Sequence, residues 1–120
     1  MAPTTLLGQT ATTAPTGRDP ELHGRPIDIS SMIALCEGVV YVERCALSNI
    51  KQIRRAKKAI KKSFQCQVDR LGFSMVELLS PCPTNWKLST KDAWDWVSEE
   101  MVKTYPVGVI KDTTGYEEKK

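Results

Sequence analysis

Four cysteines and one histidine are the soft metal ligands of this chain: Cys36, Cys45, Cys66, Cys82 and His23. The cysteines are separated by 9, 21 and 16 positions, and no Cys-x-x-Cys occurs. That count and spacing exclude a self-sufficient zinc site and a dense disulfide framework. Cys82 has the most informative setting, in Leu79-Ser80-Pro81-Cys82-Pro83. Prolines on both sides restrict the backbone and fix the direction of the thiol. Two chemistries are open to it. A thiolate there can supply one of the several ligands an iron–sulfur cluster takes, or the side chain can serve as a small hydrophobe buried in a turn. Cys45 has a similar placement with weaker framing. Cys36 and Cys66 read as packing residues, His23 as a surface residue, and Trp86, Trp94 and Trp96 as core or interface anchors.

The elements around these residues follow from pattern. The chain has 120 residues, 41% hydrophobic and 26% charged, with a net charge of +3, the balance of one ordinary globular domain. Such a composition excludes a collagenous chain, and so mild a charge names no partner. No run is apolar for long enough to span a membrane, and no secretory signal opens the sequence, so the reduced thiols of a cytoplasm are expected. Met1 to Pro20 contains six threonines, three prolines and two glycines, and reads as loop. From Ile27 the elements alternate. Ser30-Ser31 cap a short helix through Leu35, and Val39 to Arg44 form a strand. A long helix runs from Ser48 or Asn49 to Arg70, with Gly72 as its stop. Phe73 to Leu79 form a second strand, and Pro81 to Trp86 a rigid turn. Ser89-Thr90-Lys91-Asp92 opens a helix presenting Ala93, Trp94, Val97 and Met101, which Pro106 ends. Strand, long helix, strand is a βαβ crossover, so the fold class is α/β with a partial parallel sheet. Two strands and three helices cannot cover both faces of such a sheet, which marks it as part of a larger domain. Cys82 then lies at the carboxyl end of a parallel strand, the edge where open α/β sheets place ligands.

The long helix concentrates the charge. At about 100° per residue, Ile50, Ile53, Ile60, Phe64 and Val68 share one arc, which should face the sheet. Lys51, Arg54, Arg55, Lys58, Lys61 and Lys62 fill another, while Lys57 sits on the apolar side and must snorkel. Seven of the seventeen basic residues lie on this helix; the other ten meet all fourteen acidic residues elsewhere. Three readings of the basic face stand open: a solvated outer surface, a docking face for an acidic protein, or phosphate contacts with nucleic acid. No helix-turn-helix or RNA-binding signature accompanies it, and nucleic acid is not the expected partner.

Several stretches resemble one family in order: Gly24-Arg25-Pro26-Ile27, Tyr41-Val42-Glu43-Arg44, Lys57 to Lys62, Gly72 to Glu77, Leu79-Ser80-Pro81-Cys82-Pro83-Thr84-Asn85-Trp86, and Tyr105-Pro106-Val107-Gly108. Together they resemble the C-terminal part of the beta subunit of 2-oxoacid:ferredoxin oxidoreductases, in the branch acting on 2-oxoglutarate or branched-chain 2-oxoacids. The resemblance implies oxidative decarboxylation of a 2-oxoacid on thiamine diphosphate and magnesium. The acyl group passes to coenzyme A and the electrons pass through a 4Fe-4S cluster to ferredoxin. It implies that Met1 matches an internal methionine of a longer subunit. Residues 1–26 then form an extended internal segment, 27–112 the C-terminal part of the thiamine diphosphate-binding domain, and 113–120 a charged tail. Cys82 matches the cysteine that completes the cluster, while Thr4 and Thr5 match positions bordering the thiamine site. No residue is expected to be catalytic, and other subunits of the oxidoreductase are the expected partners. Alone, the chain is expected neither to bind thiamine diphosphate tightly nor to assemble a cluster. Two other readings remain: a stand-alone binding protein using the basic helix for nucleic acid, and an inactive remnant.

Overall fold

The computed structural model describes residues 2–116; Met1 and positions 117–120 of the expected charged tail lie outside the described residues. Three strands form one mixed sheet in the order β2-β1-β3: β1 (Val39–Ala46), β2 (Phe73–Leu79) and β3 (Gly108–Asp112). The βαβ unit is as expected, with β1 parallel to β2 in a register that sets Arg44 beside Glu77 and Cys45 beside Leu78. The wholly parallel sheet is corrected, because β3 lies antiparallel on the far side of β1, opposing Tyr41 with Asp112. The sequence reading placed no strand there: five residues after Pro106 carry only a weak alternation.

The long helix, α3 (Ile50–Val68), starts where the Asn49 side chain accepts from the Gln52 N–H at 2.9 Å. It ends before Gly72, whose φ is +146° and whose missing Cβ would sit 2.6 Å from the Gly38 carbonyl oxygen. Only glycine fits that return into β2. The buried face of α3 differs from the expected one. Ala56, Ala59 and Cys66 are buried, whereas Ile50, Phe64 and Val68 are 70%, 68% and 72% exposed. Small side chains let the helix approach the sheet closely, and polar pairs fix its rotation. Ser63 and Ser74 hydroxyls meet at 2.9 Å, and Arg55 Nε donates to Glu43 at 2.7 Å. The large apolar stripe is turned outward.

The opposite face of the sheet carries the main core. Ala46 and Leu79 pack there with Leu6, Ala11, Trp86, Ala93, Val97, Met101 and Tyr105. Two short helices, α1 (Pro20–His23) and α2 (Ile29–Ala34), precede β1, and Asp28, rather than the expected Ser30 or Ser31, caps α2. After α4 (Pro83–Trp86), one continuous helix is made of α5 (Thr90–Trp96), a π-helical turn (Val97–Met101) and α6 (Val102–Thr104). Its expected cap is present, with the Asp92 N–H donating to Ser89 Oγ at 3.1 Å. Its buried residues, Ala93, Val97, Met101 and Tyr105, recur every four positions. A regular α-helix would drift about 40° at each step of four; the wider i→i+5 turn slows the rotation and keeps all four on the core.

The first residues are irregular, as expected, and they are packed. Leu6, Ala11 and Ala14 are buried, and Arg18 is 6% exposed. The Arg18 guanidinium donates to six backbone carbonyls: Gly24 at 2.9 Å, Ala2 at 3.3, Pro3 at 3.0, Thr5 at 2.8, His23 at 3.3 and Arg25 at 2.9. One buried cation thus gathers two irregular segments that have no ladder of their own to satisfy those oxygens.

Candidate functional site

A cavity of about 250 Å³ opens beside the carboxyl end of β2. Thr4, Thr5 and Gln9 line it from the N-terminal segment, and Ser80, Cys82 and Asn85 from the turn after β2. The structure therefore brings together all three residues singled out in the sequence, although 77 positions or more separate the threonines from the cysteine. The two walls are tied to each other, since the Thr12 N–H donates to the Asn85 carbonyl at 2.9 Å and the Thr12 hydroxyl meets the Asn85 side chain. Pro83 opens α4 and Cys82 occupies the position before it, with its carbonyl accepting from the Trp86 N–H at 3.0 Å. Buried Trp86 anchors this turn in the core, so the exposed Cys82 stands on a fixed support.

Gln9 was not singled out in the sequence, where an isolated glutamine in a Thr/Pro-rich stretch carries no signal. It is 6% exposed; its Oε1 accepts from the Leu6 N–H at 2.8 Å, and its Nε2 is buried without a hydrogen-bond partner among the described residues. A buried donor left unpaired is costly, and it suits a site whose occupant brings an acceptor.

The remaining cysteines are elsewhere. Cys45 is buried inside β1 against Ala56 and Ala59, and its thiol is pushed up to about 11, first by burial and then by the Glu43 carboxylate. Burial likewise raises Cys66. Cys36, expected to pack, is exposed. His23 is exposed as expected, its Nδ1 accepting from the Asp19 N–H at 3.1 Å. Trp94 is 39% exposed and Trp96 packs against the main core.

These residues do not by themselves fit an iron–sulfur cluster. Among the described residues no group of three or more His, Cys, Asp or Glu is placed to hold a metal ion, and Cys82 offers one thiolate where such a cluster takes four. A cavity of about 250 Å³ is also below the roughly 300–1,000 Å³ of small-molecule sites. The chain presents one wall of a site.

A second concavity, an open groove of about 950 Å³, runs between α3 and the sheet. Lys51, Arg54, Arg55, Lys58 and Lys62 line it around Tyr41 and Glu43. Two of these cations are engaged, Arg55 with Glu43 and Lys62 with Asp112, and Lys62 also lies 4.9 Å from the Tyr41 ring centroid. No helix among the described residues is long and apolar enough to cross a membrane.

Relatives match over nearly the whole chain. Ketoisovalerate oxidoreductase subunit VorA of Methanothermobacter thermautotrophicus is 43% identical over 112 residues, covering 93% of this chain and 24% of that protein. The subunit of the same name from Methanothermobacter marburgensis is 40% identical over 112 residues, 93% of this chain and 23% of that one. 2-Oxoglutarate synthase subunit KorB of Methanocaldococcus jannaschii is 35% identical over 85 residues, 70% of this chain and 27% of that protein. The chain spans about a quarter of the length of the relatives it matches. No protein-family model matches it, and neither does any solved structure.

Proposed function

We propose, for a chain homologous to one region of 2-oxoacid oxidoreductase subunits, that it forms one wall of the cofactor site of such an enzyme. In this reading residues 27–112 are the C-terminal part of the thiamine diphosphate-binding domain, and residues 1–26 are a segment internal to the longer subunit. The reaction is oxidative decarboxylation of a 2-oxoacid, with the acyl group transferred to coenzyme A and the electrons passed through a 4Fe-4S cluster to ferredoxin. Cys82 is the one cluster ligand this chain offers. Thr4 and Thr5 border the thiamine diphosphate, whose magnesium ligands and remaining contacts come from outside these 120 residues, as do the other cluster cysteines. Thiamine diphosphate supplies the electron sink for loss of carbon dioxide. The part of this chain is to hold a thiol and two hydroxyls at fixed positions on one wall. The partners are the other subunits of the oxidoreductase and ferredoxin, in a cytoplasm where the four free thiols stay reduced.

The single observation that carries this reading is the convergence of Thr4, Thr5 and Cys82 on one cavity at a strand's carboxyl end, in a chain 43% identical to a ketoisovalerate oxidoreductase subunit. The test is a hybrid in which this chain replaces the matched segment of the Methanothermobacter thermautotrophicus subunit, produced with its companion subunits. The hybrid is expected to reduce ferredoxin in the presence of ketoisovalerate and coenzyme A. Cys82→Ser is expected to lower cluster iron and sulfide and to abolish most turnover. A Cys82→Ser hybrid with an intact cluster spectrum and full turnover removes the ligand assignment.

A further inference from the structure

The two long edges of the sheet are finished differently. On one side β1 is closed by β3, and Lys62 of α3 reaches across to Asp112. On the other side β2 has no neighbouring strand among the described residues. A sheet edge meant for water is blunted by charge or proline. Phe73-Ser74-Met75-Val76-Glu77-Leu78-Leu79 has one charge, and Glu77 is turned inward to Arg44 at 2.6 Å. Phe73 and Leu78 are 53% and 39% exposed.

The helix above repeats the asymmetry. Gln67 Nε2 donates to the Gly72 carbonyl at 3.0 Å and lies 2.9 Å from Ser74 Oγ, so this flank of α3 stands over β2. The residues that follow outward around the helix are Ile60, Ile53 and Phe64. The basic flank faces the other way, over β1 and β3. The outward apolar stripe is therefore aligned with the unpaired strand, and both need covering on the same side. β2 runs parallel to β1, and a further parallel strand brings a crossover helix with it. Such a helix would lie 8–10 Å from α3, on Ile53, Ile60 and Phe64. The matched relatives are about four times as long as this chain, which leaves ample polypeptide to provide both.

We propose that the open edge of β2 and the apolar flank of α3 dock a strand-and-helix unit from the part of the oxidoreductase subunit that this chain does not span, its strand parallel to β2. The cavity holding Cys82 is lined by Leu78 and Leu79 of the same strand, so the docked unit supplies the wall that cavity lacks. This rests on the proposed function for the identity of the partner, and not for the surface itself.

The experiment co-produces this chain with the part of the Methanothermobacter thermautotrophicus subunit outside its 112 matched residues, and measures their association by analytical ultracentrifugation. A one-to-one complex is expected. Phe64→Glu and Leu78→Asp, each at an exposed position that leaves the monomer folded, should weaken it on the order of tenfold or more. Lys58→Glu, on the opposite flank, should leave it unchanged. Should the separated part not fold, hydrogen exchange in the hybrid subunit decides the matter: amides of residues 73–79 must exchange more slowly than in this chain alone. Unchanged exchange there, Phe64→Glu binding like the parent, or self-association of this chain through the same residues would each overturn the proposal. A complex that assembles without cluster or thiamine diphosphate would instead remove the cofactor reading and leave the docking surface standing.

Discussion

Neighbouring residues of one strand, Glu43 and Arg44, carry opposite charges to opposite faces of the sheet, and the two faces use them differently. Arg44 is 2% exposed. It meets Asp28 before α2, Glu77 on β2 and the Pro106 carbonyl at 3.4 Å, and lies 5.2 Å from the Tyr105 ring centroid. Its guanidinium joins four parts of the chain, and the Ser30 hydroxyl donates to the same Glu77 carboxylate. Glu43 is also buried, but its partners are near: the Tyr41 hydroxyl two residues away and Arg55, whose side chain is 42% exposed. The lesson is that burial alone does not measure structural weight. A buried charge that links distant segments is committed to the whole fold, while one paired with a half-exposed neighbour can be relieved by water.

The largest effect should follow from Arg44→Ala, which strands two carboxylates; the loss of such a buried partner costs about 3–5 kcal/mol, read as a shift in the urea midpoint. Glu43→Gln keeps the shape and frees an arginine that water already reaches, so its cost should be about 1 kcal/mol or less. Equal costs would break the comparison. The pH dependence separates the faces further. Burial opposes ionisation of Asp28, yet hydrogen bonds from the Ser31 N–H and hydroxyl and from Arg44 outweigh it and hold the carboxyl below its ordinary 3.8. A lowered acid contributes stability above its unfolded pKa and loses it as pH falls through the folded one. Melting temperature should therefore drop below about pH 4, and less so in Arg44→Ala. On the other face burial and Glu43 raise Cys45 from 9.0 to about 11. That contribution is complete below pH 9 and lost as pH rises toward 11, so Cys45→Ala should soften the alkaline decline. The smallest perturbation is alkylation under native conditions. Exposed Cys36 and Cys82 should react promptly, while Cys45 and Cys66 wait for unfolding; prompt reaction of Cys45 would show that the α3 face opens readily.

Legibility in the sequence followed the range of the forces involved. Asn49, Gly72, Ser89 and Pro106 mark element ends through their own backbone chemistry, and each boundary lies where local reasoning put it. The Pro-Cys-Pro turn was legible for the same reason, and the family resemblance added the association of Cys82 with Thr4 and Thr5. What escaped depends on distant partners. Arg44 reads as a surface charge until Asp28 and Glu77 surround it. β3 exists because β1 offers it an edge. The rotation of α3 was misread because amphipathicity was taken to point inward. In this chain its small residues face the sheet and its large ones await a neighbour, so the pattern describes a larger assembly than 120 residues contain.

The π-helical turn at Val97–Met101 places a constraint on length. It holds a surplus residue, taken up without a loop because the winding loosens for one turn. Removal of any one amino acid there would let the helix tighten to its ordinary pitch, and everything downstream would swivel by roughly a quarter of a revolution. Met101 and Tyr105 would leave the interior, and β3 would begin from a misdirected start. Substitutions along this stretch can be absorbed side chain by side chain, whereas a single-codon deletion would propagate to the far edge of the sheet.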